Sequence, residues 1–215
     1  MRDRHGAELD ALDTAYLDFF AKGDVLPKDI VLIPVPNNPE NAAKLISSQK
    51  PDLIILTGGN NIDPQSFGLN IEVDDLAKNR DATEKVLFDC AVSSAVPILG
   101  ICRGFQFINV MLKGKLTLNL RDHPAAVRHS CLYDGNKYMV NSFHNHAISN
   151  KDISAELRPL VTTDKAGIVE AYAGKIKSDA GICKILGVQW HPERPGADTV
   201  LFKKLFNQYI IQGDK

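Results

Sequence analysis

One stretch restricts the possible folds of this chain more than any other: residues 96–106, VPILGICRGFQ. An apolar run typical of a buried strand ends at Gly100, and a segment compatible with a helix begins after Cys102. Gly100–Gly104 has the form G-x-C-x-G, the thiol counterpart of the G-x-S-x-G turn that presents a nucleophile between a strand and a helix. In so sharp a turn, a side chain on either flank would collide with neighbouring backbone.

This turn would hold the Cys102 thiol at the C-terminal edge of a sheet and at the start of a helix. The helix dipole and the free N–H groups there favour the thiolate, which is the reactive form of cysteine. A buried cysteine in a plain strand–turn–helix connection has the same pattern. The rest of the chain must therefore distinguish a nucleophile from a structural residue.

Strands and helices alternate in the first half of the chain, and the second half is rich in strands. The apolar periodicity predicts helices over residues 8–22, 41–49, 81–94, 103–112 and 199–211. It predicts strands over residues 30–36, 52–59, 96–99, 116–120, 138–141, 161–163, 168–172 and 185–190. This order predicts one α/β domain over residues 1–215, with a parallel sheet core and helices on both faces.

Composition excludes several classes of function. The net charge is −1 and no basic stripe is present, so we expect no nucleic-acid partner. No apolar run approaches the roughly 20 residues that span a bilayer, and the polar N-terminus lacks a secretory signal. The four cysteines show no C-x-x-C spacing, which disfavours a disulfide framework or a zinc site. We therefore expect a cytoplasmic protein with no membrane partner, no metal and no cofactor.

A cysteine nucleophile needs a base and a group that orients the base. The chain has six histidines, and His191 stands at the end of an apolar strand with Glu193 two residues later. Pro192 fixes the backbone between them, so both side chains can point to the same side. Cys102, His191 and Glu193 are thus a candidate catalytic triad. A histidine–proline turn without any catalytic role would have the same sequence.

An oxyanion hole needs backbone N–H groups that point toward the developing negative charge. Gly58 and Gly59 follow an apolar strand, where paired glycines can leave N–H groups accessible. The N–H groups of Gly59 and Arg103 are the candidate donors. A plain glycine turn is the competing interpretation of this pair. Open parallel sheets bind ligands at the C-terminal ends of their strands, and all these candidates lie at such ends.

Several segments resemble the class I glutamine amidotransferase superfamily and, within it, the γ-glutamyl hydrolase branch of cysteine peptidases. The resemblance extends nearly from end to end. It rests on Leu56–Gly59 with Asp63–Pro64 and Phe67–Gly68, Arg80–Asp81 with Glu84, Pro97–Gln106, Val140–His144, and Gly187–Glu193. The cysteine turn and the later W-H-P-E segment, in this order and at this separation, form a highly specific pair.

The resemblance implies a flavodoxin-like three-layer sandwich with Cys102 as nucleophile, His191 as base and Glu193 as its orienting group. A γ-glutamyl amide would form a thioester with the cysteine, and water would then release glutamate after an amine or phosphoramidate had left. Gln106 and the segment Ser142, Phe143 and His144 would bind the glutamyl amino and carboxylate ends, with Gly58 as a further substrate contact.

The chain departs from this branch at two places. Relatives open with a short apolar strand, whereas this chain starts almost at the first helix, so either the reading frame begins late or the first sheet strand is missing. Asn145–His146 replaces the polar pair that more commonly follows the Ser-x-His segment in this branch. The N-terminal segment also resembles a subgroup whose leaving group is a nucleotide phosphoramidate. His123, Arg128 and His129 belong to that similarity and could bind phosphate, although solvated surface residues would look the same.

Two other functions are considered. A glutaminase subunit would pass ammonia to a synthetase, which would have to be a separate partner chain. A redox-sensing relative would use the cysteine alone, but the His191–Glu193 pair argues against it because a sensor needs no oriented base. The sequence does not fix the quaternary state, and a homodimer is one possibility. It also does not identify the amine that leaves.

Overall fold

The computed structural model describes residues 9–22, 25–120, 127–163 and 167–212. The helices are α1 (Thr14–Lys22), α2 (Pro39–Gln49), α3 (Lys78–Ser93), α4 (Arg103–Met111) and α5 (Thr199–Phe206). A short 3-10 helix covers Pro64–Phe67, and a π-helical segment, Asn207–Gln212, continues α5. The strands are β1 (Ile54–Leu56), β2 (Ile98–Ile101), β3 (Val127–Tyr133), β4 (Asn136–Ser142), β5 (Ile148–Ser149), β6 (Leu157–Thr163), β7 (Ile168–Ser178) and β8 (Gly181–Val188).

The described strands form one sheet in the order β1-β2-β8-β7-β6-β3-β4, and β5 pairs with β7. β1, β2 and β8 run parallel, and the other neighbours are antiparallel. Every antiparallel pair comes from the strand-rich second half of the chain. β2 is fully buried, as expected for a parallel strand covered on both faces. The predicted flavodoxin-like α/β fold is confirmed, with a parallel part around β2 and a mixed sheet as a whole.

Helices cover both faces of the sheet. Leu99 and Ile101 of β2 share a core cluster with residues of α1 and α5, whereas Ile98 shares one with residues of α2, α3 and α4. Successive residues of a strand point to opposite faces, so a single buried strand supplies both clusters. The result is the three-layer arrangement that the resemblance implies.

The prediction of a strand over Ile30–Pro36 is wrong. The segment forms no strand, and Val31 is 81% exposed. Pro34 and Pro36 have no N–H to donate to a strand ladder. Among the described strands β1 is an edge strand, and no described strand precedes it in the chain.

Two further segments differ from the prediction in ways that have a clear physical reason or partner. Residues 116–120 form no strand and contribute only an isolated bridge between Thr117 and Ala147. Helix α1 begins at Thr14 and not near residue 9, because the Asp13 carboxylate accepts a hydrogen bond from the Ala15 N–H at 3.0 Å. A side chain of this kind satisfies a free N–H at a helix N-terminus and so starts the helix there.

Candidate active site

The elbow, Gly100–Gly104, connects β2 to α4. Cys102 has φ 52° and ψ −101°, a conformation that costs free energy for any residue with a side chain. A Cβ atom on Gly100 would lie 2.6 Å from the carbonyl carbon of Gly104, and a Cβ atom on Gly104 would collide with the Leu56 carbonyl. Backbone therefore packs directly against both glycines, which explains why the turn needs them.

The Cys102 side chain is 6% exposed and lies at the N-terminus of α4. The Cys102 N–H donates to the Val188 carbonyl at 2.8 Å, so the end of β8 is bonded to the elbow. Arg103 is the first residue of α4, where an N–H has no acceptor within the helix. The thiol thus lies at the positive end of a helix dipole.

His191 and Glu193 follow β8 and form a hydrogen-bonded pair. Nδ1 of His191 lies 2.5 Å from Oε1 of Glu193, and both side chains are almost fully buried. Ile101 at the end of β2 pairs with Val188 at the end of β8, so the two strand ends are adjacent. Cys102 lies close enough to His191 to raise the pKa of the imidazole. The structure therefore brings together all three residues of the predicted triad.

The surroundings of His191 favour its charged form. Burial alone would lower the pKa of His191, because it removes water from the imidazolium. Hydrogen bonds with Cys102 and Glu193, and the negative charges of both, outweigh burial and raise the pKa of His191 to about 9. The imidazolium therefore stabilises the fold below the ordinary pKa of 6.5, and this contribution is lost as the pH rises toward 9.

Asn141 fixes the backbone of His191, a role that sequence reasoning missed. Its Oδ1 accepts from the His191 N–H at 2.9 Å, and its Nδ2 donates to the His191 carbonyl at 2.9 Å. The side chain is 3% exposed. Two opposed hydrogen bonds to one residue fix its backbone orientation. The signal that could have found Asn141 is its place in the V-N-S segment that carried the resemblance.

The glycine loop, Thr57–Gly59, follows β1 on the same edge of the sheet. Leu56 at the end of β1 pairs with Gly100 of β2, which places the loop beside the elbow. A Cβ atom on Gly58 would lie 2.6 Å from Cε1 of His191, so the loop packs against the imidazole. Gly59 has φ +145° and lies against the Arg80 guanidinium, and neither condition tolerates a side chain.

Four charged side chains connect the glycine loop to the elbow, and we call them the charged bridge: Arg80, Asp81, Glu84 and Arg103. Arg80 donates to Oε1 of Glu84 at 2.8 Å and to the carbonyls of Thr57 and Gly58 at 2.8 and 2.9 Å. Arg103 pairs with Oε2 of Glu84 and with Asp81.

The central members of the charged bridge are buried. The Arg103 side chain is 1% exposed and the Glu84 side chain 6%. The buried Glu84 carboxylate therefore binds both the Arg80 guanidinium, which contacts the glycine loop, and the Arg103 guanidinium, which belongs to the elbow. The sequence pointed to these residues only through the R-D-x-x-E resemblance. The sequence suggested only that the backbone N–H of Arg103 is an oxyanion donor, and it gave no role for the Arg103 side chain.

The predicted substrate contacts lie around the same strand ends. The Phe143 ring lies 5.6 Å from the His191 ring, and the Arg194 guanidinium lies 5.0 Å from the centre of the same Phe143 ring. Gln106 Nε2 donates to the His146 carbonyl at 2.9 Å and to Gln189 Oε1 at 3.1 Å.

The remaining predicted contacts extend this polar group. His144 Nδ1 lies 3.0 Å from the His146 carbonyl. Ser142 is fully buried, and its hydroxyl has no hydrogen-bond partner among the described residues. The Gly58 N–H donates to the Tyr16 hydroxyl at 2.8 Å. Phe143 and Gly58 therefore contact His191 directly, whereas Gln106 and His144 meet at the His146 carbonyl.

His123, Arg128 and His129, the candidate phosphate-binding residues, do not form one site among the described residues. His129 Nε2 lies 3.0 Å from Oε1 of the fully buried Glu170. Arg128 is exposed and donates to the Met139 carbonyl at 3.4 Å. His123 lies outside the described residues.

A cavity of about 410 Å³ opens beside the glycine loop. Its walls include Leu12 and Asp13 before α1, Tyr16 of α1, and Arg194 after the triad. Arg194 also pairs with Asp13 at 3.2 Å. Over the described ranges, no group of three or more His, Cys, Asp or Glu side chains is placed to hold a metal ion. None of the described helices is both long and apolar enough to cross a membrane.

Comparisons with known proteins identify relatives by sequence and by fold. A γ-glutamyl-CDP-amidate hydrolase of Campylobacter jejuni is 30% identical over 141 residues, which cover 66% of this chain and 62% of that protein. The γ-glutamyl-γ-aminobutyrate hydrolase PuuD of Escherichia coli is 28% identical over 189 residues, 75% of this chain and 71% of that protein.

Among solved structures, a GMP synthase-like protein of Thermoplasma acidophilum has a TM-score of 0.56 at 19% identity. The similarity covers 82% of this chain and 77% of that one, and it shows a shared fold. The Peptidase C26 family model matches residues 2–132 and 130–193. These matches confirm the predicted superfamily and the prediction of a hydrolase of C–N bonds, and the chain belongs to the Peptidase C26 family.

Proposed function

We propose that this protein hydrolyses a γ-glutamyl amide through a γ-glutamyl thioester on Cys102. The observation that carries the proposal is the 2.5 Å pair of His191 and Glu193, buried beside a cysteine at a strained strand–helix turn. A nucleophile, a base and an orienting carboxylate in mutual contact are the requirements for covalent acyl transfer.

The reaction begins with attack of the Cys102 sulfur on the side-chain carbonyl carbon of the γ-glutamyl group. The carbonyl oxygen becomes an oxyanion, and the N–H groups of Gly59 and Arg103 stabilise it. His191 gives its Nε2 proton to the departing nitrogen as the C–N bond breaks, because Nδ1 is engaged by Glu193. The products of this half are a thioester and a free amine or phosphoramidate.

The second half returns the enzyme to its starting state. The now neutral His191 takes a proton from water, and the hydroxide formed attacks the thioester carbonyl. The C–S bond breaks, glutamate leaves, and the cysteine recovers its thiolate beside a protonated His191. Glu193 keeps the imidazole in one orientation through both halves and stabilises its charged form.

Support for a γ-glutamyl substrate comes from the relatives and from two buried polar groups. The two hydrolases named above share the γ-glutamyl group and differ in the group that leaves. The Ser142 hydroxyl and Nε2 of Gln189 are buried and have no hydrogen-bond partner within the described part of the chain. Such groups favour a polar ligand, and we assign the glutamyl end to Gly58, Gln106, Ser142, Phe143 and His144.

A panel of γ-glutamyl amides tests the function. We expect glutamate release from at least one of γ-glutamyl-aminobutyrate, γ-glutamyl polyamines or a γ-glutamyl nucleotide phosphoramidate, with glutamine turned over far more slowly. Quantified glutamate, measured with the purified chain alone, decides the result. Turnover of glutamine alone, appearing only when a synthetase is added, would support the glutaminase alternative instead. Absence of turnover across the panel would contradict the proposal.

We expect Glu193→Gln to move the alkaline limb of the pH profile of kcat/KM to lower pH. That limb reports loss of the His191 proton, which occurs near pH 9 in the unchanged protein. Removing the carboxylate charge takes away one cause of the raised pKa, so we expect a shift of about one pH unit or more. Residual glutamate release, followed across pH, measures it.

Glu156→Gln is the matched control, because Glu156 is exposed and lies outside the site. Its pH profile should equal that of the unchanged protein. An alkaline limb at the same pH in both variants would show that Glu193 does not control the protonation of His191.

A further inference from the structure

Tyr16 of α1 places its hydroxyl between the two halves of the site. The residue is 5% exposed and belongs to the core cluster that also contains Ile101 and Cys102. Its oxygen accepts the Gly58 N–H at 2.8 Å and lies 3.4 Å from Nδ1 of His191. A residue identified from sequence only as part of an apolar helix face therefore contacts both the glycine loop and the triad.

The proton positions at this contact follow from the other hydrogen bonds. Nδ1 of His191 directs its proton to Glu193 at 2.5 Å, so it cannot accept the proton of Tyr16. The Tyr16 oxygen already accepts from Gly58, which leaves its own proton free for another acceptor. Oε2 of Glu193 is buried beside it and has no hydrogen-bond partner among the described residues, so it is the acceptor available to that proton.

Burial, followed by the negative charges of Glu193 and Cys102, raises the pKa of Tyr16 far above its usual value, so the hydroxyl stays protonated.

We propose that Tyr16 is a positioning residue that joins the glycine loop to the His191–Glu193 pair. The inference rests on the proposed function, since it concerns the same reaction. By fixing the Gly58 N–H, the hydroxyl fixes the Thr57–Gly58 peptide, which directly precedes the peptide that carries the Gly59 N–H, the proposed oxyanion donor. By donating to Glu193, it shares the carboxylate charge with the imidazolium.

Within the described part of the chain, few other charged and titratable groups face this pair. Cys102 approaches from the start of α4, and Nε of Arg194 lies 3.7 Å from Oε1 of Glu193. Phe143 presents only an apolar ring. A change at the Tyr16 hydroxyl therefore acts on a small and defined set of charges.

Tyr16→Phe isolates the hydroxyl because it keeps the ring and its packing. We expect kcat to fall about tenfold, at the lower end of the 10- to 100-fold losses found when a partner that orients a metal-binding side chain is removed. KM should change by less than about twofold, because the hydroxyl would stabilise the transition state and not the bound substrate. The thermal midpoint should stay within a few degrees of that of the unchanged protein.

The pH profile separates positioning from packing. Loss of the donor leaves more of the Glu193 charge to the imidazolium, so the alkaline limb of kcat/KM should move to higher pH. This is opposite to the shift expected for Glu193→Gln. A residue that only packs in the core would leave the limb in place.

Tyr133→Phe is the matched control. Tyr133 is also largely buried, and its hydroxyl donates to Gln208 at 3.1 Å rather than to the triad or the glycine loop. The variant should retain both kcat and the alkaline limb.

Unchanged kcat in Tyr16→Phe, or a lower thermal midpoint with the limb in place, would overturn the inference about Tyr16. An unchanged protein that hydrolyses no γ-glutamyl amide would instead overturn the proposed function.

Discussion

Cys102→Ser is expected to reduce γ-glutamyl amide hydrolysis by about 10⁴-fold or more, the scale seen when a covalent nucleophile is lost. The change replaces one atom and fits the same turn, so the fold and the His191–Glu193 pair should persist. A serine hydroxyl is a far weaker acid than a thiol and gives no comparable nucleophile. Initial rates of glutamate release with the best amide of the panel measure the effect.

Cys90→Ser provides the control for this result. Cys90 lies on α3, is partly exposed, and belongs to neither the elbow nor the charged bridge. The Cys90→Ser variant should keep full activity. Intact-mass analysis should find the γ-glutamyl adduct on Cys90→Ser and none on Cys102→Ser. Equal rates for Cys102→Ser and the unchanged protein would exclude the thioester route.

Arg103→Met is expected to lower the free energy of unfolding by about 3–5 kcal/mol, the range found when one partner of a buried ion pair is removed. Methionine fills part of the volume but leaves Asp81 without its cation and Glu84 with Arg80 alone. Burial already raises the pKa of Asp81, and Arg103 opposes that rise. Removing Arg103 therefore leaves a carboxylate in surroundings that disfavour its charge. Urea unfolding at neutral pH measures the change.

Helix α3 offers a control for Arg103. Lys85 pairs with Asp89 on this helix at 2.6 Å, but both side chains are more than half exposed. Exposed pairs of this kind contribute about 0–1 kcal/mol, so Lys85→Met should hardly change unfolding. Similar losses in the two variants would show that burial of the charged bridge does not stabilise the fold.

Local patterns predicted the elbow well and the surrounding sheet less well. The elbow could be predicted because two glycines and one cysteine define a backbone requirement that few other turns share. Ile30–Pro36 has strand-like composition, but a strand needs a partner, and its two prolines cannot donate to one. β3 was missed for the opposite reason. Arg128, His129 and Ser130 give it no apolar alternation, and it forms because β4 and β6 pair with it on both sides.

The same limit applies to the site. The proximity of Cys102, His191 and Glu193 could be predicted because these residues belong to local motifs that follow strands. Tyr16 has none, since an aromatic residue on an apolar helix face looks the same whether its hydroxyl is bonded or not. Asn141 and Glu84 act across 50 and 19 positions of the chain respectively, and only the folded sheet shows their partners.

The carboxylate of Glu84 has a consequence for how the substrate range of this protein can change. Because it holds Arg80 with one oxygen and Arg103 with the other, the two proposed oxyanion donors belong to one rigid unit that needs little reorganisation during reaction. Substitutions that adapt the protein to another leaving group are therefore expected among the cavity-lining residues outside this unit. Leu12, Asp13 and Arg194 line the cavity and lie outside this unit, and selection for a new substrate should change them first.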